Sequence, residues 1–174
     1  TGARFTNSFA RIGGMAHDFY DGWQSELLGY LKEVEKGLDD TLTLVEKNRI
    51  FLDRVQNICK ISAEDALSYG FTGPNLRASG VDYDLRKDKP YYYYDSFDFS
   101  VPVGSCGDIH DRMFVRFYEM KESIAIIRQA IKRIPNGDIC IKDKDIMLPP
   151  KSEVYGNIEA LINHFKLIFD GIKL

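Results

Sequence analysis

Residues 108–134, DIHDRMFVRFYEMKESIAIIRQAIKRI, decide the fold class. Ile109, Met113, Phe117, Met120, Ile124, Ile127, Ile131 and Ile134 follow one another at spacings of four and three. That interval puts them on one stripe of an α-helix. Asp108 is placed to cap the N-terminus, where a carboxylate accepts from backbone N–H groups that the first turn leaves unpaired. Pro135 ends the helix on the other side. Beside the stripe, Arg112, Arg116, Glu119 and Ser123 recur at i, i+4, i+7 and i+11, a charged face along the same helix.

Working back towards the N-terminus, residues 66–102 read ALSYGFTGPNLRASGVDYDLRKDKPYYYYDSFDFSVP. This span gathers Gly70, Gly73, Gly80 and Pro74 with Arg77, Arg86, Asp82, Asp84 and Asp95. Turn formers and opposite charges at that density suit a rigid, charge-paired loop held against another surface. Its partner is the charged helix face, so the candidate network is Arg77, Asp82, Asp84, Arg86, Asp111, Arg112, Arg116 and Glu119. Such a lattice fixes loop geometry, or serves as a proton or conformational relay. Phe97, Phe99 and Val101 alternate with polar residues, a short strand ended by Pro102. The run Tyr91–Tyr94 either packs or presents aromatic surface to a cavity, partner or membrane.

Further back, Ser62 and Asp65 have capping-box spacing, and Gly70 is a natural residue after a helix end. A helical period runs from Trp23 to Cys59, either divided in two at Gly37 with Asp39-Asp40 or continuous over about 54 Å. Residues 1–20 are irregular around Gly13-Gly14. After Pro135, a charged connection over 136–151 leads to a last helix with Val154, Ile158, Leu161, Phe165, Ile168 and Ile172 in register. The fold class is therefore mainly α. The expected architecture is a helical bundle of three to four long helices with an elaborated loop and a short strand or hairpin. At 174 residues, 1–174 is expected to be a single domain.

A net charge of −3 argues against a nucleic-acid partner. No apolar run approaches the roughly 18 residues of a membrane span, which suits a soluble or peripheral protein. Cys59, Cys106 and Cys140 lack CxxC spacing, and His17, His110 and His164 share no helix-face spacing, so no metal site is expected. Ser105 in VGSCGD lacks a nucleophile-elbow context and reads as a turn residue.

YGFTGPNLRASGVDYDLRKDKPY (69–91), FDFSVPVGSCGDIHDR (97–112) and VRFYEM (115–120) together resemble the D subunit of respiratory complex I, the NADH–quinone oxidoreductase. TGARFTNSFARIGG (1–14) and IEALINHFKL (158–167) fit the same family in the same order, so the resemblance spans nearly the whole chain. Set against that family, the chain resembles the middle of a longer polypeptide lacking both ends.

The resemblance implies a fold like the core of nickel–iron hydrogenase large subunits, in a peripheral protein on the cytoplasmic side of the inner membrane. It implies a share in the quinone-reduction site, beside the B subunit with its terminal iron–sulfur cluster, and contact with the C subunit. NADH is oxidised elsewhere in that proton-pumping complex, quinone is the substrate, and the D subunit holds no cofactor itself. The family's N-terminal motif is Gly-Ala-Arg, an apolar residue, His, two small residues, an aromatic, any residue, then Arg-x-Gly-Gly. Gly2, Ala3, Arg4, Arg11, Gly13 and Gly14 match it. Thr6 stands where the histidine is often found, Phe9 where tyrosine is usual, and His110 replaces a later tyrosine. Arg4, Thr6 and Arg11 are thereby expected near the partner's cluster. The quinone head-group residues belong to a segment outside this sequence, and no catalytic residue is expected here. The alternatives are the large subunit of a related membrane-bound hydrogenase-type complex, or a structural scaffold without a redox role.

Overall fold

The computed structural model describes residues 3–11 and 13–171; Gly2 of the N-terminal motif and Ile172 of the last stripe lie outside the described residues. The chain forms two compact units, one of Gly22–Ile134 and one of Thr1–Asp21 with Pro135–Leu174. Secondary structure is mainly helical, with one two-stranded sheet among the described residues.

In the first unit, helix α1 spans Trp23–Glu46, about 36 Å at 1.5 Å per residue. It runs straight through Gly37 and Asp39-Asp40, so the division does not fall there. An exposed glycine costs a helix only about 1 kcal/mol relative to alanine, which packing readily outweighs. The break comes instead at Asn48, whose side chain accepts from the Phe51 N–H at 3.2 Å and opens α2 at Arg49–Val55. Asparagine caps well because its short carbonyl reaches those unpaired N–H groups.

Ser62 caps α3 (Ala63–Ser68) as expected, accepting from the Asp65 N–H at 3.1 Å and donating its hydroxyl to the Asp65 carboxylate at 2.7 Å. Gly70, at φ 70°, ends it: the Gly70 N–H reaches the Leu67 carbonyl and the Phe71 N–H the Ala66 carbonyl. This paired closure satisfies two of the carbonyls a helix end leaves open. Two short helices follow, α4 (Gly73–Ala78) and α5 (Leu85–Asp88), then a 3-10 turn at Tyr94–Ser96.

Helix α6 spans Ile109–Arg133, with Asp108 accepting from the Asp111 N–H at 2.9 Å. Its expected stripe is only partly the buried face. Ile124 and Ile131 close on Leu31, with Trp23, Leu27 and Val34 packed around them. Ile109, Met120, Ile127 and Ile134 stay more than a third exposed, while Phe114 and Val115 are buried. The reason is that α1, α2 and α4 all pack on α6, so its buried surface is not one straight stripe. Each fully buried aliphatic side chain here contributes about 1.5–3 kcal/mol.

The strand expected over 97–101 is absent. The alternation survives, with Phe99 buried and Asp98 and Ser100 exposed, but no neighbouring strand is present to pair with it among the described residues. Side chains of α6 take over the backbone. Gln129 accepts from the Asp98 N–H at 2.9 Å and donates to its carbonyl at 2.6 Å, and Glu122 accepts from the Ser100 N–H at 3.0 Å. In the tyrosine run, Tyr91 meets the rings of Tyr94 and Tyr92 at 5.0 and 5.5 Å between centroids; Tyr94 is half-buried, while Tyr91, Tyr92 and Tyr93 are exposed.

In the second unit, β1 (Ala10–Arg11) pairs antiparallel with β2 (Gly14–Met15), in the register Ala10 to Met15 and Arg11 to Gly14. Gly14 sits so close to the 139–140 backbone that a Cβ would lie 2.1 Å from the Ile139 carbonyl oxygen, so only glycine fits. The Met15 N–H donates to Ile139 and the Ile141 N–H to Gly13, at 2.9 and 2.8 Å. The expected last helix is split at Asn157, which caps α8 (Ile158–Phe169) after the short α7 (Lys151–Gly156). Much of the apolar side of α8 is open: Ile158, Phe165 and Phe169 are all more than half exposed, while Ala160 is buried.

Candidate functional site

Arg77 is the hub of the first unit's charge lattice. It lies on α4 with its side chain 9% exposed, and α6 carries Glu119 opposite it. Nε of Arg77 donates to Glu119 Oε1 at 2.8 Å, Nη2 donates to the same oxygen, and Nη1 donates to the Tyr83 carbonyl at 3.0 Å. Asp84 lies 3.8 Å from Nη1 and is clamped by Arg86, whose Nη2 reaches Oδ2 at 2.6 Å and Nε reaches Oδ1 at 3.0 Å. The Arg86 guanidinium rests over Phe99 at 4.9 Å and Tyr94 at 5.8 Å from the ring centroids. That stacking joins the lattice to the aromatic loop.

Arg86 hydrogen bonding holds the Asp84 carboxyl below the usual carboxylate range, against the upward push of burial. The same contact raises Arg86 further above the arginine norm. Two arginines facing two carboxylates leave the lattice paired, and each of its charges has an opposite charge in reach.

Four of the eight expected members thus meet: Arg77, Asp84, Arg86 and Glu119. The other four do not. Asp82 is exposed and makes no ion pair among the described residues. Arg112 and Arg116, expected in the same network, meet none of its acids: Arg112 Nη2 donates to the Cys59 and Gly107 carbonyls at 2.6 and 2.7 Å. Arg116 donates to the Arg112 carbonyl and to Asn75 Oδ1 at 3.2 Å. Asp111 holds a turn, accepting from the Ser105 and Cys106 N–H groups at 2.8 and 2.7 Å. Burial pushes the Asp111 carboxyl up, but those two N–H groups and His110 outweigh it and leave it lowered.

The contribution of Tyr83 through its carbonyl, and of Phe99 through its ring, was missed in the sequence. The alternating FDF pattern carried a signal for Phe99; nothing marks a backbone carbonyl. Asp108, His110 and Asp111 place possible ligand atoms within 4.8 Å of one another. Both Asp108 oxygens already accept N–H groups, from Asn57 at 2.8 Å and Asp111 at 2.9 Å, so this trio is a helix cap and turn clamp.

The N-terminal candidates belong to the other unit. Arg4 and Thr6 are exposed, and Arg11 stands on β1 with Nε donating to the Ser8 carbonyl at 3.2 Å. Beside Arg11 lies a cavity of about 740 Å³ walled largely by apolar groups, including Met15, Ile139 and Leu148.

The family model described as respiratory-chain NADH dehydrogenase, 49 kDa subunit, matches residues 1–174. The chain belongs to that family. The NADH-quinone oxidoreductase C/D subunit of Bdellovibrio bacteriovorus is 55% identical over 172 residues, covering 99% of this chain and 31% of the relative. The D subunit of the same enzyme from Myxococcus xanthus is 52% identical and that from Pelobacter propionicus 48%, each over all of this chain and 42% and 43% of the relative. The chain therefore spans between about a third and two-fifths of the length of these 49 kDa-family relatives. No helix among the described residues is long and apolar enough to cross a membrane.

Proposed function

We propose that this chain acts as the D subunit does in NADH–quinone oxidoreductase, forming part of the wall of the quinone-reduction site in a proton-translocating complex. The observation that carries the reading is the 49 kDa family match over residues 1–174, with relatives near 50% identity named for that enzyme. Its partners on this reading are the cluster-bearing B subunit and the C subunit, with NADH oxidised elsewhere in the complex and no cofactor held by this chain. It sits peripherally on the cytoplasmic face of the inner membrane, and its helical core takes the hydrogenase large-subunit form.

Exposure of Arg4, Thr6 and Arg11 on one unit supports a contact face there, since their side chains are open to a partner. A cation near an iron–sulfur cluster favours the more negative, reduced form. Thr6 brings no group that titrates near neutral pH, where histidine does. The partner's cluster then has a lower and less pH-dependent potential, which suits a low-potential quinone.

The test is purification of the native complex through a tag on this polypeptide. Recovery with a cluster-bearing protein and NADH:quinone reductase activity is expected. Recovery with a nickel-containing, hydrogen-evolving assembly would move the protein to the hydrogenase-type alternative, and recovery without a redox partner would leave the scaffold. In the intact complex, Thr6→His should steepen the pH dependence of the cluster potential towards about 59 mV per unit, the limit for one proton per electron. A steep slope in the unsubstituted complex would refute the role given to Thr6.

A further inference from the structure

His110 and Asp111 begin α6 beside a small cavity of about 260 Å³, also lined by Glu46, Gly104, Ser105 and Tyr118. The His110 ring stacks on Phe114 at 4.2 Å between centroids, with an interplanar angle of 26°, and this fixes its orientation. Its Nδ1 lies 3.3 Å from Asp111 Oδ1. The other oxygen of the same carboxylate, Oδ2, accepts both N–H groups of Ser105 and Cys106. One carboxylate therefore links an imidazole to the backbone of a turn.

That turn is fastened to the helix carrying the lattice hub. The Gly104 N–H donates to the Arg77 carbonyl at 2.9 Å, and the Gly107 N–H donates to the Ala78 carbonyl at 3.0 Å. Packing is tight, because a Cβ on Gly104 would lie 2.9 Å from Asp111 Oδ2 and 2.7 Å from the Ala78 carbonyl oxygen. The turn has little room to shift while Asp111 stays in place.

We propose that His110 and Asp111 form a proton-dependent latch on the 104–107 turn. With the imidazole protonated, Nδ1 makes a charge-assisted hydrogen bond that steadies the carboxylate in its grip on the two turn amides. Such bonds are roughly twice as strong as neutral ones. With the imidazole neutral, Nδ1–H can still donate, but the ion pair is lost and the turn opens more often. Imidazoles change charge between about pH 5 and 8, where carboxylates and arginines do not. Among the described residues, the other titratable groups around the ring and the turn include Asp108 at the helix cap, Glu46 from α1, Tyr118 further along α6 and the Cys106 thiol of the turn itself. Arg112, one residue beyond Asp111, is committed to the Cys59 and Gly107 carbonyls. The latch does not depend on what the complete polypeptide binds.

The Ser105 and Cys106 amides report on it directly. Hydrogen–deuterium exchange of the intact polypeptide at pH 5.5 and 8.0, corrected for intrinsic exchange rates, reads their protection by mass spectrometry. For a partly exposed pair, protection of the turn should be about two- to fivefold higher at the lower pH. His110→Phe, which keeps the stack on Phe114, and His110→Gln, which keeps a hydrogen-bonding group, should each erase that difference. Peptides from the middle of α1 should not respond to pH in any of the three proteins. The proposal is overturned if the unsubstituted protein shows no pH difference, or if both variants retain it.

Discussion

Replacing Arg77 with methionine tests the lattice with the least change in volume. It removes both bonds to Glu119, the bond to the Tyr83 carbonyl and the nearest cation but one to Asp84. Breaking a buried pair from one side typically costs about 3–5 kcal/mol, because the surviving charge is left desolvated. Glu119 is 18% exposed and Asp84 keeps Arg86, so the lower end, about 3 kcal/mol, is expected. The double variant Arg77→Met with Glu119→Leu removes both charges and should lie within about 1 kcal/mol of the unsubstituted protein. Urea titration followed by circular dichroism reads both. With a slope of about 2 kcal/mol/M, the single variant should lose about 1.5 M at the midpoint, and the second substitution should restore most of it. A double variant no more stable than Arg77→Met would refute the reasoning, since the cost would then lie in lost packing or in the Tyr83 carbonyl.

Asp84 sets a pH dependence. Its folded-state value is lowered, first by Arg86, so its contribution is present above the ordinary value near 3.9 and is lost as pH falls through the folded value. Asp84→Asn should lower stability at pH 7 and flatten the acid limb of a urea-midpoint series taken from pH 7 to 3; an unchanged limb would count against the pairing. Two glycines should respond in opposite directions to alanine. Gly107→Ala sets a Cβ 2.2 Å from the Ile61 carbonyl oxygen at φ 64°, and a loss of about 3 kcal/mol or more is expected. Gly37→Ala meets nothing within 4 Å on α1 and should gain about 0.5–1 kcal/mol, so the two melting temperatures should move apart.

What the sequence made legible was local. Asp108, Ser62 and Gly70 act on backbone groups a few residues away, and each does what its type and position imply. The four-three spacing of α6 placed the helix correctly but not its buried face, because three other helices choose which sides to cover. Asn48 opened a new helix where Gly37 did not break the old one, since capping is a positive bond whereas glycine is only a weak penalty. Composition picked out Arg77, Asp84, Arg86 and Glu119, yet could not say which cation would meet which acid. Arg112 and Arg116 found carbonyls, and a carbonyl leaves no mark in a sequence. The 97–101 alternation implies a strand; Phe99 is buried as an inward residue would be, but a strand needs a neighbour that no local pattern supplies.

The β1–β2 hairpin has a consequence for the order in which the protein is made. Its outer bonds run from Gly13, Gly14 and Met15 to residues 139–141, some 120 positions later. At about 5–20 residues per second, roughly 6–25 s of synthesis separate the two halves of that contact. The residues between them, 22–134, form a compact unit with its own core and can gather while the hairpin waits. The segment bearing Arg11 is synthesised ahead of the 22–134 core and completed after it.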